Sequence, residues 1–284
     1  MSSGSSATSP SQIPVGVDAT RPSIARIYDG FLGGKTNYAV DRAVMDKVSA
    51  AVPEAIDIAK GNRRFLNRAC RLLSSQTGIT QYLDCGSGLP TAENTHEVVQ
   101  RANPEARVVY VDNDPVVLAH GRALLEDNYL VQMVEADIFS AAAVLENPEV
   151  QRHIDFSEPV VLLQVATMHH LEGDAPDLMR QYIDALAPGS YVVLSHFLDP
   201  ETPELTPVAK RIEDVLVNGS MGAGRFRTRA EIEAMGPGLD FLPPNQQTKT
   251  GGLSVCDEWW PDGPRISELS MAAQCVGGWV GKKL

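Results

Sequence analysis

Apolar positions recur at helical spacing through the first quarter of the chain. Through most of the rest they fall in short runs at strand spacing. Ile24, Ile27, Tyr28, Phe31 and Leu32 lie at i, i+3, i+4, i+7 and i+8, one stripe that predicts a helix ended by Gly33-Gly34. A second helix is predicted over 39–49 and a third over 56–73, with Phe65, Leu66, Ala69, Leu72 and Leu73 inward. From Gly78 the pattern alternates. Apolar runs at 81–84, 107–112, 131–135, 159–165 and 191–196 predict five strands, with helices over about 91–101, 115–126 and 175–186 between them. The run at 159–165 is almost continuously apolar, as a strand covered on both faces must be. The punctuation agrees: Pro104 stops one helix, Pro115 suits the first turn of the next, and Pro188-Gly189 turns the chain into the fifth strand. This succession predicts an α/β fold with a parallel sheet and helices on both faces.

The fifth strand is followed by an insertion at about 199–227. It carries a helix over 204–217 and then Asn218-Gly219-Ser220-Met221-Gly222-Ala223-Gly224, read as a flexible loop and a lid. Thr228-Arg229-Ala230-Glu231 matches a capping box and starts another helix. Stretches at 238–242 and 271–282 are β-like and close the sheet. The expected organisation is a leader over 1–20, a helical cap over 21–77 and an α/β domain over 78–284. The leader is rich in Ser, Thr and Pro and lacks the basic start and apolar core of a signal peptide, so disorder is expected there.

Composition narrows the function. A formal net charge of −12 disfavours a nucleic-acid partner. Ten Lys/Arg stand against seven Asp/Glu up to residue 90, and fourteen against twenty-nine after it, so what basic character exists is in the helical part. No apolar run reaches the ~18 residues of a membrane span, so no membrane partner is expected. The four cysteines, Cys70, Cys85, Cys256 and Cys275, are scattered without a Cys-x-x-Cys pair; no metal site is expected, and reduced thiols in a cytoplasmic protein are the simple reading. His96-Glu97-Val98-Val99-Gln100 misses the zinc-protease pattern because its fifth residue is Gln.

Candidate chemistry gathers where strands end. Tyr82-Leu83-Asp84-Cys85-Gly86-Ser87-Gly88-Leu89-Pro90 reads as a buried strand, a sharp turn and the approach to a helix. Gly86 and Gly88 let the backbone bend tightly and approach a ligand, while Asp84 accepts from a cationic or hydroxylated ligand and repels a pyrophosphate. The second strand ends in Asp112-Asn113-Asp114, where an acid accepts from ribose hydroxyls in βαβ nucleotide sites. The third ends in Ala136-Asp137-Ile138, a carboxylate for an adenine amino group and an apolar side chain for its ring.

The chain resembles the class I S-adenosylmethionine-dependent methyltransferases, and more narrowly a bacterial family of S-adenosyl methyltransferases. The resemblance covers nearly everything after residue 20. It rests on Arg21-Pro22-Ser23-Ile24-Ala25-Arg26-Ile27-Tyr28-Asp29, Leu32-Gly33-Gly34-Lys35-Thr36-Asn37-Tyr38, Asp41-Arg42, Asn62-Arg63-Arg64-Phe65-Leu66, Asp84-Cys85-Gly86-Ser87-Gly88-Leu89-Pro90-Thr91 and Val109-Tyr110-Val111-Asp112-Asn113-Asp114-Pro115. It implies a Rossmann-like seven-stranded sheet, mostly parallel with the last strand antiparallel, and S-adenosylmethionine as cofactor with S-adenosylhomocysteine as product. By this resemblance Asp84, Gly86 and Gly88 cradle the methionine and ribose, Asp112 takes the ribose hydroxyls with Asn113 beside the adenine, and Asp137 and Ile138 hold the adenine. Tyr28, Lys35 and Asn37 are candidates to meet the cofactor carboxylate or the acceptor, against a hinge role for the glycine segment. Two positions depart from the broader class. Pro90 stands where a third glycine is usual, and Gln164 stands near the end of the fourth strand where Asp or Asn is usual, able to accept from the methionine ammonium without charge.

Thr167-Met168-His169-His170 follows the fourth strand, and His169 is the candidate general base, with His196 a second. Trp259-Trp260 is a candidate wall of an acceptor pocket or a packed pair. The expected acceptor is a small molecule. Two other functions compete. A nicotinamide-dependent oxidoreductase would want Gly-x-Gly-x-x-Gly/Ala, and here the sixth position is Thr91. A protein that binds the cofactor as a signal without transferring methyl keeps the same residues.

Overall fold

β1 (Gln81–Cys85), β2 (Arg107–Asp112), β3 (Val131–Glu135), β4 (Val161–Val165) and β5 (Tyr191–Phe197) are the five apolar runs, and they pair in parallel in the order β3-β2-β1-β4-β5. The computed structural model describes residues 17–90, 93–125, 128–264 and 267–284. Three further strands follow, β6 (Leu239–Phe241), β7 (Ser254–Val255) and β8 (Val276–Lys283). β8 runs antiparallel to β5, and both β6 and β7 pair with β8. The described residues thus form an eight-stranded sheet, one strand more than expected. The addition is β7, whose two residues are too few to leave a periodic signal.

The helices are α1 (Ile24–Phe31), α2 (Ala39–Ala51), α3 (Ile56–Gln76), α4 (Thr95–Ala102), α5 (Pro115–Leu125), α6 (Ala141–Leu145), α7 (Pro148–His153), α8 (Ala175–Ala185), α9 (Thr206–Val217) and α10 (Arg229–Glu233). The first sixteen residues of the expected leader, the helix start expected at Thr91 and the helix end expected at Glu126 lie outside the described residues. Thr228 caps α10 as its sequence implies, accepting from the Glu231 N–H while Glu231 accepts from the Thr228 N–H at 2.7 Å.

Strand alternation divides the core into two layers. On one face Phe65, Leu73, Val98 and Val116 pack with Val108, Val161 and Val193. On the other, Val144, Val150, Met179 and Tyr182 pack with Val109, Leu162 and Val192. α3 contributes to the first layer and lies against β8 and β5, so the helical residues before β1 share one core with the sheet. The approach is close because β8 offers Gly278: a Cβ there would stand 2.6 Å from the Phe65 ring and 3.0 Å from the Leu194 carbonyl oxygen. Trp259 is fully buried edge-on to Phe65, with ring centroids 5.3 Å apart, and Arg68 of α3 donates to its carbonyl at 2.9 Å. Trp259 is therefore a packing residue beneath α3 rather than the wall of a pocket.

α1 departs from its apolar stripe. Ile24 is 41% exposed, while Arg26 and Asp29 are buried beside Ile27. A buried ion pair turns the helix: Arg26 Nε meets Asp41 Oδ2 of α2 at 2.7 Å. Asp41 also accepts from the Ser23 N–H at 2.9 Å and the Tyr38 N–H at 2.8 Å, so one carboxylate ties α1, the connector and α2. α2 in turn packs on α9 of the insertion. Breaking a buried pair from one side costs more than the pair contributes, because the remaining charge stays buried.

The Gly278 contact makes a test of the α3–sheet seam. Gly278→Ala is expected to destabilise the fold by about 1–3 kcal/mol through overpacking on Phe65. Urea unfolding should show a lowered midpoint at unchanged slope; an unchanged midpoint would mean that the seam can yield.

Candidate functional site

All five parallel strands end at one edge of the sheet, and the strand order reverses between β1 and β4. That is the switch point where open α/β sheets bind ligands. The turn leaving β1 sits there. Gly86 and Gly88 have φ of 75° and 66°, a left-handed region that favours glycine. A Cβ on Gly86 would collide with Thr167 and stand 3.0 Å from Ile138 Cδ1, whereas one on Gly88 would point into open space. The turn is thus seated on the segments after β3 and β4 at Gly86 and open at Gly88.

Asp112, at the end of β2, braces this turn. Oδ2 accepts from the Gly88 N–H and Oδ1 from the Asp114 N–H, each at 2.9 Å. Burial raises its pKa against those bonds. A carboxylate has about four acceptor directions, so ribose hydroxyls can still be received. Asn113 is exposed beside it. Asp114 starts α5 by accepting from the Val116 N–H at 2.8 Å, and it accepts from the Ser23 hydroxyl, which joins α1 to the end of β2. Asp84 is buried and accepts from the Thr95 hydroxyl of α4 at 2.7 Å. Burial pushes its pKa up to about 6, with the Thr95 bond and the Arg63 cation opposing that rise and the Asp112 charge adding to it. Asp137 is exposed and accepts from the Phe139 N–H at 2.9 Å, while the half-buried Ile138 leans toward Gly86.

A polar chain crosses the mouth from the N-terminal helices. The Ala166 N–H, just past β4, donates to Ser195 Oγ at 2.9 Å; Ser195 donates to Asn62; Asn62 Nδ2 donates to the Tyr28 hydroxyl at 2.8 Å; and Tyr28 donates to the Ala59 carbonyl at 3.3 Å. Ala166 itself has φ of 58°, a strained value for a residue with a side chain. Tyr28 therefore reaches the edge through α3. Asn62 and Ser195 did not stand out as site residues. Their signal was a polar residue in an inward position: Asn62 precedes Phe65, Leu66 and Ala69 at i, i+3, i+4 and i+7, and Ser195 interrupts the apolar run of β5.

Five expected site residues are placed elsewhere. Gln164 is fully buried, its amide oxygen accepts from Thr167 at 2.9 Å, and its Nε2 has no partner, so it braces the turn after β4 from inside. His169 is 2% exposed and stacked on Phe197, with ring centroids 3.6 Å apart. Burial and the neighbouring His170, His196 and Arg227 hold its pKa well below the usual imidazole range. The edge therefore carries an enclosed imidazole stacked on Phe197. His196 is also fully buried; its ring nitrogens meet the Phe197 carbonyl and the Arg227 guanidinium, each at 2.7 Å. Lys35 is exposed on the connector after α1. Asn37 closes that connector, donating to the Gly34 carbonyl at 3.1 Å and accepting from Arg42 at 3.1 Å. Gly34 is needed there because a Cβ would strike the Asp29 carboxyl. Among the described residues no cluster of His, Cys, Asp or Glu is arranged to hold a metal.

A family model described as S-adenosyl methyltransferase matches residues 10–283. A crystal structure of a candidate methyltransferase from Thermobifida fusca YX is 39% identical, covers 96% of this chain and 99% of its own, and superposes with a TM-score of 0.86. A DUF574 family protein from Streptomyces avermitilis MA-4680 is 33% identical, with 94% and 99% covered and a TM-score of 0.85. No curated protein matches the chain.

The raised pKa of Asp84 has a stability consequence. The folded chain holds this proton more tightly than the unfolded chain, so stability falls as pH rises from 3.8 to about 6, and the loss is complete above that. Asp84→Asn is expected to be more stable than the parent by about 2–3 kcal/mol at pH 8, with the difference vanishing near pH 4. Urea titrations at the two pH values check both the sign and the window.

Proposed function

The chain belongs to the S-adenosyl methyltransferase family, and we propose that it transfers a methyl group from S-adenosylmethionine to a small-molecule acceptor. The observation that carries this reading is the left-handed Gly86–Gly88 turn at the switch point, braced by Asp112 and backed by the buried Asp84. When bound, the cofactor supplies a methyl group on an already activated sulfonium. Asp84 and Asp112 suit its ammonium and ribose hydroxyls, and the exposed Asp137 with the half-buried Ile138 suits its adenine. The same acids disfavour the pyrophosphate of a nicotinamide dinucleotide.

In-line displacement from a sulfonium asks the protein mainly for proximity and alignment. The hydrogen-bonded Ala166–Ser195–Asn62–Tyr28 chain supports that role by tying α1 and α3 to the edge. A base is needed only for an acceptor that must lose a proton. For His169 to serve as one, the Phe197 stack must open. The four cysteines are free and buried, which supports a reducing, cytoplasmic setting. No helix among the described residues is long and apolar enough to cross a membrane.

Calorimetric titration with S-adenosylhomocysteine tests the cofactor. The parent is expected to bind with a Kd on the order of micromolar, and Asp112→Ala to bind at least about tenfold more weakly. Binding of NAD in place of either S-adenosyl ligand would overturn the reading. Affinity should also fall as pH drops through about 6, where Asp84 gains its proton and stops attracting the ligand ammonium. Asp84→Asn should bind weakly with no such fall. Methyl transfer to a screened acceptor then separates an enzyme from a cofactor-binding signal protein.

A further inference from the structure

Arg63 stands beside Asn62 on α3, where the helix meets the mouth of the sheet. Its Nη2 donates to the Glu93 carbonyl at 2.8 Å, on the loop that follows Gly88. Its charge acts on Asp84, Tyr28 and Tyr110 as a lesser influence beside burial.

This arginine lacks the partner that its neighbours have. Arg64 is paired with Asp257 at 2.6 Å and Arg71 with Asp262 at 2.9 Å. Glu93 is the acid closest along the chain to the atom Arg63 reaches, yet its carboxylate is held by Asn67 at 3.0 Å and Arg101 at 2.7 Å. Arg63 is left with a carbonyl, and its Nε is buried without a partner. The Ser87 hydroxyl, on the turn itself, is likewise buried and unpartnered. A desolvated N–H of a guanidinium without an acceptor is costly, and a planar carboxylate is the group that relieves it by a two-point contact.

We propose that Arg63 receives the α-carboxylate of the methionine end of the cofactor and makes the site select a ligand that carries one. The inference rests on the S-adenosyl reading above and deepens it. The methionine end is a zwitterion. A mouth lined only by Asp84, Asp112 and Asp137 would attract its ammonium and repel its carboxylate. Arg63 supplies the opposite charge on the α3 side of the same turn, so Asp84 and Arg63 together match the zwitterion. On that reading the adenosine end belongs with Asp112 and Asp137, which leaves the methionine end to Asp84 and Arg63.

The experiment crosses a protein truncation with a ligand truncation. S-adenosylmethionine and its decarboxylated form, which keeps the ammonium and the sulfonium, are titrated by calorimetry into the parent, Arg63→Met and Arg63→Lys. The parent should prefer the intact ligand. Arg63→Met should lose about 10- to 100-fold in affinity for S-adenosylmethionine and stay within about twofold for the decarboxylated ligand, so the preference collapses. Arg63→Lys should keep part of it, as a charge without the fork. Retained binding of the decarboxylated ligand shows in the same titration that the variant is folded. Equal losses for both ligands would overturn the proposal, since Arg63 would then only hold the loop at Glu93; so would an unchanged preference. In both cases the cofactor reading stands, because the parent binds. A parent that binds neither ligand overturns the reading and this inference together.

Discussion

Asp112 accepts hydrogen bonds from two backbone N–H groups on two different loops, Gly88 after β1 and Asp114 after β2. Where strands end, the sheet no longer satisfies the backbone, and each freed N–H needs another acceptor. One carboxylate at the switch point meets that need for both loops. It holds the glycine turn in its left-handed form and sets the start of α5. Through Asp114 and Ser23 it also locates α1. The geometry of this edge thus follows from a shortage of backbone partners where parallel strands end.

The helices before β1 finish that edge from the other side. α3 is amphipathic in an uncommon sense: its apolar stripe packs on β8 through Phe65 and Gly278, and its Asn62–Arg63 turn faces the strand ends. α1 and α2 bury a charge pair, Arg26–Asp41, where hydrophobic packing would be expected. A buried pair of this kind specifies one arrangement strongly even where its net contribution is small, because its breakage leaves a stranded charge. Together with the contact of α2 on α9, it sets the N-terminal helices and the insertion in one relation to the edge.

The same edge holds several uncomfortable groups. Asp84 and Asp112 carry pKa values raised by burial, Ala166 is in a strained conformation, and Gln164 and Arg63 keep polar atoms without partners. The buried thiols and His196, by contrast, are fully enclosed and inert by the same desolvation.

The strands, the main helices, the glycine turn and the Thr228 cap were legible in the sequence because each is a short-range property. Apolar period, turn residues and capping pairs act within a few positions, and the chain states them directly. The acids at the ends of β1, β2 and β3 were legible for the same reason, since each closes its own strand. What only the tertiary structure decided involves partners far apart in the chain. Asn62 meets Ser195 across 133 residues, β8 enters the sheet between β5 and β6, and Arg26 finds Asp41 and turns Ile24 outward. His169 reads as a base next to a strand end until Phe197, from another strand, covers it. Periodicity reports that a position is buried or exposed, but the identity of what buries it is set by the packing of distant segments. That identity decides whether a polar side chain at this edge braces the fold or waits for a ligand.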